Sequence, residues 1–403
     1  MTPGLTLLFA IAGGAAVGNL YWTQPLLGFI SEDLGVSTAA TGWLVTVTQL
    51  GYALGILLVV PLGDVLDRRK LVPAVLGTAV IALTASAVAP NFGVLLAANA
   101  LIGLTTVSGQ LLTPLAGDLA DDATRGRIVG TVASGMLTAI LLSRTISGLV
   151  ADIAGWRAIF AIAAIAAAVF AIILRRRIPA LPAKASIPYP ALIASVFLAI
   201  RRERTVRWTL ALAATGFATF TMFWTSLTFL LSTPPYSYPA SIIGLFGLAG
   251  LAGVVAAQRA GRLHDRGWSL PTTGIAWALA LASWITAALT GQWLIGVIAV
   301  VVVIDIAIQG LNLLNQTRLF SVDPTARSRL NTAFVCTNFL GGAIGSTLAG
   351  LLWSVGGWSA VTLTGTLLSL LGLAIWANGR RHALHIPDRS SYHPDPAERP
   401  TTS

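Results

Sequence analysis

Twelve stretches of the 403-residue chain are predominantly apolar and bounded by charged or turn-forming residues, at approximately 4–30, 39–61, 71–89, 92–117, 127–152, 156–174, 206–233, 238–259, 269–289, 293–318, 329–354 and 358–379. A hydrocarbon layer about 30 Å thick is crossed by about 20 residues of α-helix, so each stretch has membrane-crossing length. The pattern predicts an all-α membrane protein of twelve transmembrane helices. The ninth stretch has the most frequent polar interruptions. The first lacks a basic amino-terminal region and exceeds the apolar core of a signal peptide, so it is expected to remain as a helix.

Composition agrees: 55% of residues are hydrophobic and 10% charged, against roughly 25% charged in an average soluble domain. A net charge of +10 raises the question of nucleic acid, but a nucleic-acid binder gathers its cations into a patch. Here the cations follow topology. With a cytoplasmic amino terminus, 23 of the 25 Lys and Arg fall in inner loops or the tail, leaving Arg157 outside and Arg144 inside a span. This is the positive-inside distribution, and it places both termini in the cytoplasm of a multi-pass cell-membrane protein. Trp43, Trp156, Trp208, Trp268, Trp293, Trp353, Trp358 and Trp376 lie near span ends and read as interfacial anchors. The single cysteine, Cys336, excludes an internal disulfide. His264, His382, His385 and His393 all fall in an inner loop or the tail, so neither a metal cluster nor a membrane-embedded catalytic site is expected.

Residues 175–205, which include RRRIPALPAKASIPYP and end near RRERTVR, form a proline-broken basic linker. Within it, 191–204 suits an interfacial helix or a solvated loop equally well. The linker separates residues 1–174 from 206–379, and a polar, proline-containing tail, 380–403, is expected to be disordered. The two long segments repeat one another. An offset of 202 places Trp22 and Thr23 on Trp224 and Thr225, Gly42 on Gly244, Gly51 on Gly253, Arg127 on Arg329, Gly148 on Gly350, and Gly155–Trp156 on Gly357–Trp358. After the second span, GDVLDRR at Gly63 meets GRLHDRG at Gly261. The expected architecture is two pseudo-symmetric six-helix bundles.

Gly63, Asp67 and Arg68, repeated as Gly261, Asp265 and Arg266, resemble the Gly-x-x-x-Asp-Arg loop signature of the major facilitator superfamily. The GNLYWTQPLL run of the first span resembles its proton-driven drug and metabolite exporters, and the likeness covers about residues 4–379. One departure is that Arg69 and Lys70 follow Arg68 directly, without the usual x-Gly spacer. The resemblance implies that spans one, four, seven and ten line a central path. It also implies that the loop residues Gly63, Asp67, Arg68, Arg69, Gly261, Asp265 and Arg266 latch one conformation. Physically, Asp67 is placed to meet the positive end of a helix from the other half, or Arg68 and Arg69 beside it.

A charged side chain inside hydrocarbon costs roughly 2.5–3.5 kcal/mol on insertion scales and is a functional candidate by default. Asp305 in the tenth span and Arg144 in the fifth qualify. Their partners under the repeat are Gly103 and Ser346, so both charges break the pseudo-symmetry. Gln309, Asn312 and Gln316 continue from Asp305 along one helical face. Asn99, Thr106, Gln110 and Thr113 form a similar stripe in the fourth span, and Asn19, Trp22, Gln24 and Trp224 complete an aromatic and polar lining. Gly51, Gly55, Gly244, Gly247, Gly250, Gly253, Gly341, Gly345 and Gly350 read as packing surfaces, in the resembling fold those between the two halves.

These features predict secondary active transport of a small organic solute by a monomer in the bilayer. No cofactor is expected, because the driving force is an ion gradient, expected to be protons. GxxxxGK[ST] is absent, which disfavours an ATP-driven pump in one chain. Burial disfavours a carboxyl's charged form, which suits Asp305 to exchange a proton. The exporter resemblance implies efflux by antiport. Uptake by symport is the alternative, because the stretch from Gly135 to Gly148 lacks the proline and most of the glycines that such exporters carry in their fifth helix. A non-transporting receptor or scaffold of the same fold would have no use for the Asp305 stripe.

Overall fold

The computed structural model describes residues 1–179, 188–250, 266–323, 326–381, 383 and 384, with 252, 253, 259, 260 and 263. Gly261 and Asp265, and the four histidines, lie outside the described residues. Among the described residues, all regular structure is helical.

The first span is not one helix. Thr2 caps α1 (Pro3–Gly18), with Pro3 in its first turn. The chain then turns, makes a short 3-10 segment (Gln24–Leu26) and resumes as α2 (Leu27–Leu34). Pro25 has no amide hydrogen and its ring crowds the carbonyl four residues back, which disfavours a continuous helix here. Asn19, Trp22 and Gln24 therefore point from this break and not from one regular face.

The second span is α3 (Thr38–Leu58), capped by Ser37, with a single turn, α4 (Leu62–Val65), after it. The third is α5 (Arg68–Ala87), and the fourth is broken at Thr106 and Val107 into α6 (Phe92–Thr105) and α7 (Ser108–Asp118). Then come α8 (Arg125–Ala154) and α9 (Trp156–Arg177), joined at Gly155. A short helix, α10 (Tyr189–Arg202), precedes the long α11 (Arg204–Ser232). The eighth span opens with α12 (Ala240–Leu245) and a 3-10 segment (Phe246–Ala249), then enters residues that are mostly not described. Last are α13 (Ser269–Thr290), α14 (Leu294–Val322) and α15 (Arg327–Gly379).

Nine described helices are long and apolar enough to cross a membrane, taking Thr38–Val65 and Phe92–Asp118 each as one. The ninth of them, α15, contains two spans, because Gly356 and Gly357 leave helical geometry between them. With the first and eighth spans the twelve are accounted for. The ninth span, for all its polar positions, is the regular helix α13.

The repeated glycine-tryptophan pairs now have a physical reason. Gly155 and Gly357 have φ of +81° and +56°, a region that a side chain strongly disfavours, and each turns the chain between paired spans. Trp156 is 4% exposed and donates to Asp33 Oδ2 at 3.2 Å, so it packs in the fold instead of anchoring at the surface. Trp43, Trp268 and Trp293 are exposed as expected of anchors.

Several glycines read as inter-half surfaces act within one half. Gly51 and Gly55 lie against the backbone of Ala100 and Leu104 in α6, and Gly341 and Gly345 against Ala214 and Ala218 in α11. The first and last six spans meet along the second and eleventh spans, where Cys336 Sγ donates to the Ala53 carbonyl at 3.2 Å and Tyr52 packs on Phe339, and again at the end of the bundle away from the basic loops. There Thr46 Oγ1 meets Ser346 Oγ at 2.8 Å, Thr145 donates to the Gly244 carbonyl at 3.0 Å, and Gly148 abuts Ala240. Asp152 accepts the amides of Ala240 and Ser241, at 3.2 and 3.0 Å, capping the start of α12.

Candidate functional site

Near its far end, α8 buries one face, Ser143, Arg144, Ser147, Gly148 and Ala151. Arg144 is 5% exposed. Its Nε donates to Gln24 Oε1 at 2.8 Å, which the turn after α1 puts in reach. The guanidinium carbon stands 4.4 Å from the Trp224 ring centre and 4.8 Å from that of Tyr21, so two aromatic faces hold it by cation–π attraction. Gly244 and Gly247 of the eighth span let that helix lie directly on the arginine, where a Cβ at Gly247 would meet Arg144 Cβ at 3.1 Å.

Asp305, 1% exposed, sits in α14 within electrostatic reach of Arg144 and beside Trp224. The same glycine face continues beneath it: a Cβ at Gly253 would stand 2.7 Å from Asp305 Oδ2 and 2.8 Å from Gln309 Cγ, and one at Gly250 would stand 3.2 Å from Oδ2. The glycines of the eighth span, read from sequence as packing, are thus the wall of the charged site. Five spans converge here, the first and fifth with the seventh, eighth and tenth. Asp305 Oδ1 is buried without a hydrogen-bond partner among the described residues.

From Asp305 the stripe on α14 runs toward the basic loops and becomes half-buried at Gln309, Asn312 and Gln316. Asn312 Oδ1 accepts from Asn338 Nδ2 at 3.0 Å, and Gln316 Nε2 donates to Asn331 Oδ1 at 3.1 Å. In the fourth span, half-buried Gln110 donates to the Tyr52 hydroxyl at 3.3 Å, while Thr106 is buried. The Tyr52 ring is 4.3 Å from that of Phe339, which in turn packs on Phe217. Asn99 is 1% exposed and accepts from Thr23 Oγ1 at 3.1 Å, a tie between the first and fourth spans. Asn19 accepts from Trp22 Nε1 at 2.6 Å, and Ser147 donates to the Trp22 carbonyl at 2.5 Å.

The residues that sequence reasoning missed are Tyr21, Tyr52, Asn331, Asn338 and Arg318. Asn331 and Asn338 stand seven apart in an apolar span, the same signal that marked α14. Arg318, counted above with the inner loops, lies inside α14 at 1% exposure. It donates to Asn315 Oδ1, Ser269 Oγ and Thr273 Oγ1 at 3.2, 3.1 and 3.0 Å.

At the basic end, Asp67 caps its own helix, accepting from the Arg69 amide at 2.9 Å. Arg68 is 7% exposed and donates to the Gly63 carbonyl and Asp118 Oδ2 at 2.6 Å each, and to Asp64 Oδ1 at 3.0 Å. It pins the loop to the end of α7 within the first six spans. Arg69 and Arg266 are exposed.

The sequence model of the Major Facilitator Superfamily matches residues 8–321. The "Uncharacterized transporter YgaY" of Escherichia coli O157:H7 is 38% identical over 379 residues, covering 94% of this chain and 96% of its own length. The "Probable transporter SCO4007" of Streptomyces coelicolor is 34% identical over 367 residues, covering 91% and 85%. Among solved structures, an inward-facing, unoccupied bacterial homolog of the human lysosomal transporter Spinster superposes with a TM-score of 0.77 over 94% of this chain and 98% of its own, at 14% identity, a likeness of fold alone. The chain belongs to the Major Facilitator Superfamily and is a multi-pass membrane transporter, not an enzyme.

Proposed function

We propose that the protein moves a small organic solute by proton-coupled alternating access, with Asp305 as the group that takes and releases the proton. The observation that carries this reading is an all but fully buried carboxylate within electrostatic reach of a buried arginine, where spans from both sets of six converge. Residues 1–174 and 206–379 rock as two bodies, joined by 175–205, in a monomer whose basic loops, tail and both termini face the cytoplasm. Most of the described hydrogen bonds between the two sets lie at the far end, with Cys336–Ala53 as the inner exception, and together with the half-buried stripe from Gln309 to Gln316 they support a cavity open to the cytoplasm. Gln110, Thr106, Asn99, Asn19, Trp22, Gln24 and Trp224 shape the path, and the loop residues around Asp67 and Arg68 latch the opposite state. No cofactor takes part, because the proton gradient supplies the energy.

The likeness of GNLYWTQPLL to exporters favours efflux in exchange for protons. Symport is the second reading, and the closeness of Arg144 to Asp305 favours it. The test is a paired assay on reconstituted full-length protein, screened against labelled small organic solutes. Asp305→Asn should retain solute exchange at equal pH and lose accumulation under a proton gradient. Wild-type accumulation by a well-folded Asp305→Asn protein removes Asp305 from the coupling.

A further inference from the structure

We infer that the transported solute is an organic anion, that its negative group docks on the Arg144 guanidinium between the Tyr21 and Trp224 rings, and that a protonated Asp305 is the state that admits it. This rests on proton exchange at Asp305, takes the symport reading in place of antiport, and adds the charge of the solute.

A guanidinium offers five N–H donors in a rigid planar fork that matches a carboxylate. Arg144 spends its Nε on Gln24, and its Nη2 is buried with no hydrogen-bond partner among the described residues. The four ion pairs among the described residues are Arg68–Asp64, Arg68–Asp118, Arg125–Asp122 and Arg157–Asp33, so none neutralises Arg144. The guanidinium carbon lies over both the Tyr21 and the Trp224 ring, while Gly244 and Gly247 of the eighth span lie against the Arg144 backbone and the stem of its side chain and add no side chain of their own to the site. An unused donor of a held cation, bonded to no acceptor among the described residues, is a site for an acceptor that comes and goes.

Asp305 on α14 is the carboxylate within electrostatic reach of this cation among the described residues, and Tyr21 on α1 is the other titratable group that faces it. Among the described residues, the first, seventh and eighth spans otherwise bring Gln24, Trp224 and glycines to the site. Ionised, Asp305 balances Arg144 across the site. Protonated, it leaves an uncompensated cation out of water, where charge interactions are strong. An anionic solute then restores neutrality, while a cationic one meets repulsion. Proton and anion therefore favour each other's binding, and by linkage the effect is mutual. Two ligands that bind together travel together, so the coupling is symport.

The experiment measures calorimetric binding of benzoate to the purified full-length chain, with benzamide and benzylamine as neutral and cationic matches of the same shape. Benzoate should bind at millimolar concentration in preference to the other two. Its affinity should weaken on the alkaline side by up to about tenfold per pH unit, the limit for one proton gating one site. Asp305→Asn should bind benzoate at the acid-side affinity at every pH. Arg144→Gln should abolish binding and Arg144→Lys should keep part of it, with unliganded melting curves confirming that each variant is folded. Preference for benzylamine, equal binding of benzoate and benzamide, binding of none of the three, or benzoate binding untouched by Arg144→Gln overturns the inference. These equilibrium readouts need no gradient. Loss of gradient-driven accumulation in Asp305→Asn together with benzylamine preference would therefore leave the coupling role standing and reject only the anion.

Discussion

Nε of Arg144 donates to Oε1 of Gln24 across 2.8 Å, joining the fifth span to the turn that interrupts the first. The bond ties a charge that is costly in hydrocarbon to a backbone break made by Pro25, so each irregularity explains the other. Gln24 opens the 3-10 segment after the turn, and on a helix continued from α1 it would project in another direction.

Gln24→Ala should leave a buried guanidinium donor unsatisfied, at a cost of about 1–3 kcal/mol. The thermal midpoint of the detergent-solubilised protein should fall by several degrees. Gln24→Glu should do the reverse, pairing Arg144 permanently, so that the protein is more stable and transport slower. Equal melting of Gln24→Ala and wild type would show that Arg144 finds another acceptor.

The loop signature divides into two roles. Asp67→Ala removes an N-cap, worth about 0.5–2 kcal/mol, and should start fraying α5 at its basic end. Arg68→Ala removes three hydrogen bonds at once and leaves Asp118 without this partner, so it should destabilise more. Denaturant midpoints of the two variants give the order directly.

Asp152 carries much of the far-end closure, because it caps α12 from the opposite set of six spans. Asp152→Ala should loosen that end. A cysteine at Ser346, which is fully buried against Thr46, should then react faster with an impermeant maleimide than in the otherwise unchanged protein.

Two tryptophans of α13 are fully buried against glycines of α15, Trp277 against Gly372 and Trp284 against Gly365, with no room for a further carbon. Gly365→Ala or Gly372→Ala should cost about 1–3 kcal/mol by overpacking. Gly77→Ala, in the helix α5 where nothing lies within 4 Å, should not. Melting temperatures of the three variants check this.

At the far end, the hydrogen bond from Arg157 holds the exposed Asp33 carboxyl below the usual carboxylate range. A carboxylate lowered in the folded state adds stability above its unfolded value, near 3.9, and loses it as the pH falls through the folded one. Exposure and solvent screening keep the effect small. Asp33→Asn should therefore lower the melting temperature slightly at neutral pH and leave it unchanged in strong acid.

Fold class and repeat were written along the chain, because a bilayer demands long apolar helices and a duplicated half keeps its Trp, Arg and Gly at one offset. The isolated charges Asp305 and Arg144 were legible for the same reason, since each stands out against hydrocarbon. What sequence could not decide was which helices touch. Tertiary packing made Gly51 and Gly55 contacts within the first six spans, turned Gly244 to Gly253 into the wall of a charged site, and brought Tyr21 and Trp224 to either side of Arg144. It also clamped Arg68 on Asp118 within the first six spans, and buried Arg318 among hydroxyls. Spacing along one helix states which residues share a face. The neighbour that face meets depends on residues more than a hundred positions away, as Gln24 and Arg144 are, and only the packed bundle chooses it.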